Sequence, residues 1–168
     1  QGIHKRIVTQ AGIDIMLALD TSSSMQAMDL LPNRMEAAVE VGKQFVEGRP
    51  NDRVGIVVFA GDAVTQCPLT SDHSAVLTYL NSVRVGVTGT DGTAIGNGLA
   101  TSLNRIKKAR GKSKIIVLLT DGRNNAGELD PLAAAKLAKS LGVKVYTVGA
   151  ATRGEAPMPV KDPFGVDR

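Results

Sequence analysis

The stretch Gly12-Ile13-Asp14-Ile15-Met16-Leu17-Ala18-Leu19-Asp20-Thr21-Ser22-Ser23-Ser24-Met25 carries the reading of this chain. From Gly12 to Leu19 it is apolar apart from Asp14, and it does not alternate. Continuous hydrophobicity over this length suits a strand buried on both faces, as in a parallel sheet. The run stops at Asp20, and hydroxyl side chains follow. Polar chemistry is therefore expected where a buried strand ends.

The same signal recurs outward from there. Val54 to Phe59 (VGIVVF), opened by Asp52-Arg53, and Lys114 to Leu119 (KIIVLL), stopped by Thr120-Asp121-Gly122, read as buried strands, and Val143 to Val148 as the last clear one. Ala63 to Leu69 is shorter and contains Pro68, which suits an edge strand. Helical spacing separates these runs. Asn33 to Glu47 places Met35, Val39, Gly42, Phe45 and Val46 on one face. Ser74 to Val83 follows Ser71 or Asp72 as its N-cap. Thr93 to Ile106 aligns Ile95, Leu99, Leu103 and Ile106. Pro131 to Leu141 starts with Pro at N1 and ends at Gly142.

Strands alternating with helices predict right-handed βαβ crossovers. The expected fold is α/β: a doubly wound, mostly parallel sheet with one short antiparallel edge strand and helices on both faces. Residues 1–11 read as an N-terminal extension, 12–150 as the domain and 151–168 as an extended tail. The chain opens with Gln1 and has no secretory h-region, so it reads as a piece of something longer.

Composition narrows the function classes. The 168 residues are 43% apolar and 21% charged, which suits one globular domain rather than a disordered chain. Ile115 to Leu119 is as long as the apolar runs get, too short to cross a bilayer. The single cysteine, Cys67, excludes an intramolecular disulfide and a multi-thiol zinc site, and reads as a packed thiol. The net charge of +4 raises the question of nucleic acid, but aromatics are only 3% and the basic residues are scattered, with one cluster from Arg105 to Lys114. A base-stacking surface is not expected.

In an open α/β sheet, ligands bind beyond the carboxyl ends of the strands. Three polar clusters meet there: Asp20-Thr21-Ser22-Ser23-Ser24, Gly89-Thr90-Asp91-Gly92-Thr93 and Thr120-Asp121-Gly122. Their side-chain donors are all oxygens, and His4, His73 and Cys67 lie elsewhere in the pattern. Oxygen-only ligation suits a hard divalent cation. Each cluster alone has a plain account as a helix cap or a turn. Asp91-Gly92 is most simply a turn, and Asp29 shapes the rim. Capping explains the joint placement poorly.

Asp20-x-Ser22-x-Ser24, then Thr93, then Asp121 resembles the metal-ion-dependent adhesion site of von Willebrand factor A domains, and the likeness runs from about Gly12 to Ala150. Within that family the chain is similar to bacterial aerotolerance-operon (Bat-type) proteins. Pro32-Asn33-Arg34, Asn51-Asp52-Arg53-Val54-Gly55, Pro68-Leu69-Thr70, Gly92-Thr93-Ala94-Ile95-Gly96, Leu118-Leu119-Thr120-Asp121-Gly122 and the Ala156-Pro157 to Gly165 tail carry that likeness.

The resemblance implies that Ser22, Ser24 and Thr93 hydroxyls coordinate Mg²⁺, with Mn²⁺ or Ca²⁺ able to substitute in vitro. Asp20 and Asp121 would act largely through bound waters. An Asp or Glu of a partner protein would fill the open position. The resemblance further implies a non-enzymatic interaction module of a bacterial stress or aerotolerance complex. It would be held at the inner membrane by segments absent here, on the periplasmic side by preference, with MoxR-type AAA+ ATPases and sibling proteins as partners. The family fold continues with a final helix and strand, whereas this chain stops at Arg168. Apolar surface left uncovered by that truncation would favour self-association.

Two alternatives differ in class. A Mg²⁺-dependent phosphohydrolase of the haloacid dehalogenase kind also places an Asp after its first strand. It needs a second carboxylate two residues on, where Ser22 stands, so its general acid is missing. No GxSxG elbow or GxxxxGK[ST] phosphate loop occurs. The other alternative is a metal-free structural scaffold.

Overall fold

Seven consecutive buried residues, Asp14 to Asp20, put β1 (Ile13–Asp20) at the centre of a five-stranded sheet. The computed structural model describes residues 12–30, 32–109, 113–122 and 130–149. The expected N-terminal extension, the tail, the stop before a final helix and strand, and residues 110–112 of the basic cluster lie outside the described residues.

β1 pairs in parallel with β2 (Arg53–Phe59) on one side and β4 (Ser113–Thr120) on the other. β5 (Val143–Gly149) extends the parallel set beyond β4, and β3 (Ala63–Thr70) closes the opposite edge antiparallel to β2. The spatial order is β3-β2-β1-β4-β5. At eight residues β3 is as long as β1 rather than short. Pro68 costs no ladder bond on a free edge, and bulges between Val54 and Val57 take up the irregular pairing.

Alternation along the strands divides the core in two. Ile15, Leu17 and Leu19 face α1 (Arg34–Glu47) and α2 (His73–Asn81), through Met35, Val39, Val46, Val76 and Leu80. Met16 and Ala18 face α3 (Ile95–Ile106) and α4 (Pro131–Ser140), through Leu99, Leu103, Ile106, Ala134 and Ala138. Each Leu or Ile buried this way contributes about 1.5–3 kcal/mol, so two covered faces are what the unbroken apolar runs demand. The sheet is thus doubly wound, with helices on both faces.

Local signals set the helix starts. The side chains of Asn33, Asp72 and Asp130 accept from the backbone N–H groups of Glu36, Ala75 and Leu132, and Pro131 stands in the first turn of α4. His73 opens α2, and its Nε2 sits 2.5 Å from the Asp52 carbonyl oxygen. Cys67 is buried, and burial raises its thiol pKa. α3 differs from the other helices: its N-cap is Ala94, with no side-chain cap bond. The strand order reverses at β1, whose neighbours are β2 and β4. The carboxyl ends of β1 and β4 therefore frame the switch-point crevice.

Candidate metal centre

Asp20 is the last residue of β1 and is fully buried. Its Oδ1 accepts from the Ser22 N–H at 2.9 Å and the Ser22 hydroxyl at 2.6 Å. Its Oδ2 accepts from the Thr120 hydroxyl at 2.7 Å, which ties the ends of β1 and β4 together. Thr21 keeps the chain on β2 by donating its N–H to the Phe59 carbonyl at 2.7 Å and its hydroxyl at 3.1 Å. A 3-10 turn, Ser23–Gln26, follows, anchored by the fully buried Met25. That turn swings Ser24 back over the edge, where its hydroxyl donates to Asp121 Oδ2. Ser22 Oγ and Ser24 Oγ stand 3.1 Å apart.

Thr93 is buried in the loop before α3. Its neighbours fix it to the same edge. Asp91 accepts from the Ser23 N–H at 3.1 Å and the Ser23 hydroxyl at 3.0 Å, and Ala94 donates its N–H to the Ala60 carbonyl at 2.7 Å. The structure thus joins Asp20, Ser22, Ser24 and Asp121 in one bonded set, and Asp91 ties the segment that carries Thr93 to the serine loop. Capping does not account for these residues: Ser22 precedes the 3-10 turn without a side-chain cap bond, and Ala94, not Thr93, caps α3. Asp91 is more than the turn expected of it, because it braces the serine loop from a distant segment.

The electrostatics follow from burial. Desolvation pushes the Asp20 carboxyl up from its ordinary value; hydrogen bonds from Ser22 and Thr120 oppose this, and the nearby Asp121 charge adds to it. Asp91 moves the other way, lowered by hydrogen bonds from the Gly92 backbone and from Ser23. Arg34 supplies a countercharge. Its Nη1 lies 3.5 Å from Asp121 Oδ2, while Nε and Nη2 bind the two oxygens of Asp29 at 2.8 and 3.0 Å. Asp29 does shape the rim, by holding Arg34. Sequence reading missed the contacts of Arg34, Asp91 and Thr120, although the strings containing them were in view; no spacing rule links position 34 to position 121.

The donor set suits a hard cation. The Ser22 and Ser24 hydroxyls each meet a carboxylate, and their two oxygens stand 3.1 Å apart. Two ligands at right angles around an octahedral Mg²⁺ stand about 2.9 Å apart, from bond lengths of about 2.0–2.1 Å. Among the described residues no group of three or more His, Cys, Asp or Glu is placed to hold an ion, so a cation at this edge depends on the hydroxyls.

The family model for the von Willebrand factor type A domain matches residues 14–159. The chain belongs to that family. Among solved structures, this von Willebrand factor A chain is similar to an aerotolerance-related membrane protein from Bacteroides fragilis carrying multiple mutations to serine. The two are 40% identical with a TM-score of 0.76, over 82% of this chain and 67% of that one. BatB from Bacteroides thetaiotaomicron is 35% identical with a TM-score of 0.80, over 94% and 79%. Proximal thread matrix protein 1 from the mussel byssus, solved with a zinc-occupied MIDAS motif, is 27% identical with a TM-score of 0.71, over 89% and 39%. An uncharacterized protein of Borreliella burgdorferi is 36% identical over 86% of this chain and 42% of its own length. The chain spans about half the length of the curated relatives it matches. No helix among the described residues is long and apolar enough to cross a membrane.

Proposed function

We propose that this domain is a metal-dependent protein-binding module, in which Ser22, Ser24 and Thr93 hold Mg²⁺ and Asp20 and Asp121 support them. One observation carries the reading: two serine oxygens 3.1 Å apart, each hydrogen-bonded to a buried carboxylate. Bound there, the ion supplies an electrophilic position that an acidic side chain of a partner protein can complete. Asp20 orients Ser22 through two hydrogen bonds and is itself locked by Thr120. Asp121 orients Ser24, and Asp91 fixes the backbone between the serines. Neutral hydroxyl ligands leave the cation's charge under-compensated, which favours an anionic partner over water.

The similarity to BatB and to an aerotolerance-related membrane protein supports a place in a membrane-associated bacterial stress complex. MoxR-type ATPases and sibling domains are the partners that reading favours, with the periplasmic face preferred. Residues 12–150 form the domain proper, flanked by an extension and a tail. The chain self-associates through an apolar face lined by Val41, Phe45 and Val148.

Titration of the chelator-treated chain with Mg²⁺ and Mn²⁺, read by calorimetry and thermal unfolding beside Asp20→Ala, tests the proposal. At a hundredfold excess over Kd, binding raises stability by about 2.7 kcal/mol. Saturable binding lost in Asp20→Ala is expected. No binding at millimolar metal by the unsubstituted chain rejects the reading in favour of a metal-free scaffold.

A further inference from the structure

Arg34 sits where a second cation would be unwelcome. It opens α1, just past the cap Asn33, and its side chain is 13% exposed. Asp29 grips two of its three guanidinium nitrogens, at 2.8 and 3.0 Å. A guanidinium is rigid and planar, so fixing Nε and Nη2 also fixes where Nη1 points. Nη1 stands 3.5 Å from Asp121 Oδ2, the oxygen that accepts the Ser24 hydroxyl. The Asp121 side chain is only 3% exposed, so solvent screens this pair poorly.

We propose that Arg34, aimed by Asp29, is a built-in counter-cation that competes with the divalent ion for Asp121 and thereby sets the metal affinity of the site. The inference rests on the metal-binding reading above. Without metal, the guanidinium stands beside the Asp121 oxygen that accepts the Ser24 hydroxyl and offsets part of the repulsion between Asp121 and Asp20. With metal, the same fixed charge repels the incoming ion. A positive charge about 6 Å from a divalent cation weakens its binding by roughly tenfold even at the dielectric of bulk water. The site is thus preformed and deliberately weak, occupied only where metal is plentiful or a partner's acid adds its own attraction.

The test is calorimetric Mn²⁺ and Mg²⁺ titration of the chelator-treated full chain and three variants. Arg34→Gln removes the charge; Arg34→Lys keeps it; Lys144→Gln makes the same charge change on an exposed residue near the amino end of β5. Arg34→Gln is expected to bind roughly tenfold tighter than the unsubstituted chain, with Arg34→Lys and Lys144→Gln within about threefold of it. Saturable binding by the unsubstituted chain with equal or weaker binding by Arg34→Gln overturns the inference alone. Equal tightening in Arg34→Lys also overturns it, because charge is then not the cause. Binding by none of the four proteins overturns the metal-binding reading and this inference with it. Should Arg34→Gln fail to fold, the Arg34 Nε–Hε resonance of the unsubstituted chain decides. A shift that saturates with Mg²⁺ supports the proposal; an unmoved signal at saturation overturns it.

Discussion

Asp20 shows how one residue can be costly for stability and necessary for the site. It is fully buried, and its carboxyl is pushed upward first by desolvation. A raised folded-state value means that the folded chain binds the proton more tightly than the unfolded chain. The contribution of Asp20 to stability is then fully present below the ordinary value of 3.8 and is lost as pH rises through the raised value. In chelator, Asp20→Asn is expected to remove that loss. The amide oxygen still accepts from Ser22, the amide nitrogen can donate to Thr120, and no charge is left buried. At neutral pH the variant should gain about 1 kcal/mol or more over the parent chain. The difference should shrink as the pH falls, and stabilisation by Mg²⁺ should vanish in the variant. Denaturant unfolding at several pH values, with and without metal, checks this. A variant less stable than the parent at neutral pH in chelator would show that burial of the Asp20 charge is not the dominant cost.

At the scale of elements, the site depends on loops that fit closely against one another. A Cβ on Gly61 would stand 2.2 Å from the Asp91 carbonyl oxygen, a backbone atom that cannot swing aside. Gly61→Ala is therefore expected to push away the loop that braces Ser23 and carries Thr93. Metal affinity should fall about tenfold or more, as expected when ligand-supporting contacts are lost, while the far-ultraviolet circular dichroism stays that of the parent. Unchanged affinity would mean that the Asp91 brace does not matter to the site. Gly98 in α3 makes the opposite use of a missing side chain. Its Cβ would lie 2.7 Å from Phe59 Cδ1, and Phe59 is fully buried on β2. Alanine gains about 1 kcal/mol in helix propensity, but overpacking against an immobile ring costs about 1–3 kcal/mol. Gly98→Ala should lower stability by about 1 kcal/mol, measured by denaturant unfolding; a stabilised variant would mean that α3 can shift without penalty.

Across the whole molecule, two features stand at different places on the sheet. One is the polar edge at the switch point. The other is an apolar groove of about 350 Å³ between α1 and the β4–β5 side, lined by Val41, Phe45, Ile115, Val117, Tyr146 and Val148. Arg49 sits 5.0 Å from the Phe45 ring centroid, placing a charge beside this otherwise apolar wall. The described residues leave Val41 40% exposed, the kind of surface that drives association. Light scattering of the chain is expected to show a mass that rises with concentration, and Val41→Glu should suppress the rise. A monomer at every concentration would remove the self-association proposal. The fold class, and the meeting of Asp20, Ser22, Ser24 and Asp121 at one sheet edge, were legible in the residues alone. Unbroken apolar runs such as Ile15–Leu19 suit a strand covered on both faces, and a carboxylate with serines directly after such a strand lies at the sheet's carboxyl edge. Tertiary structure alone decided the rest. Arg34 meets Asp121 across 87 positions and Ser23 meets Asp91 across 68. Side-chain periodicity reports which face of an element is buried, but not which loops the crossovers bring together. That depends on the strand order β3-β2-β1-β4-β5, which is set by packing among all the helices at once.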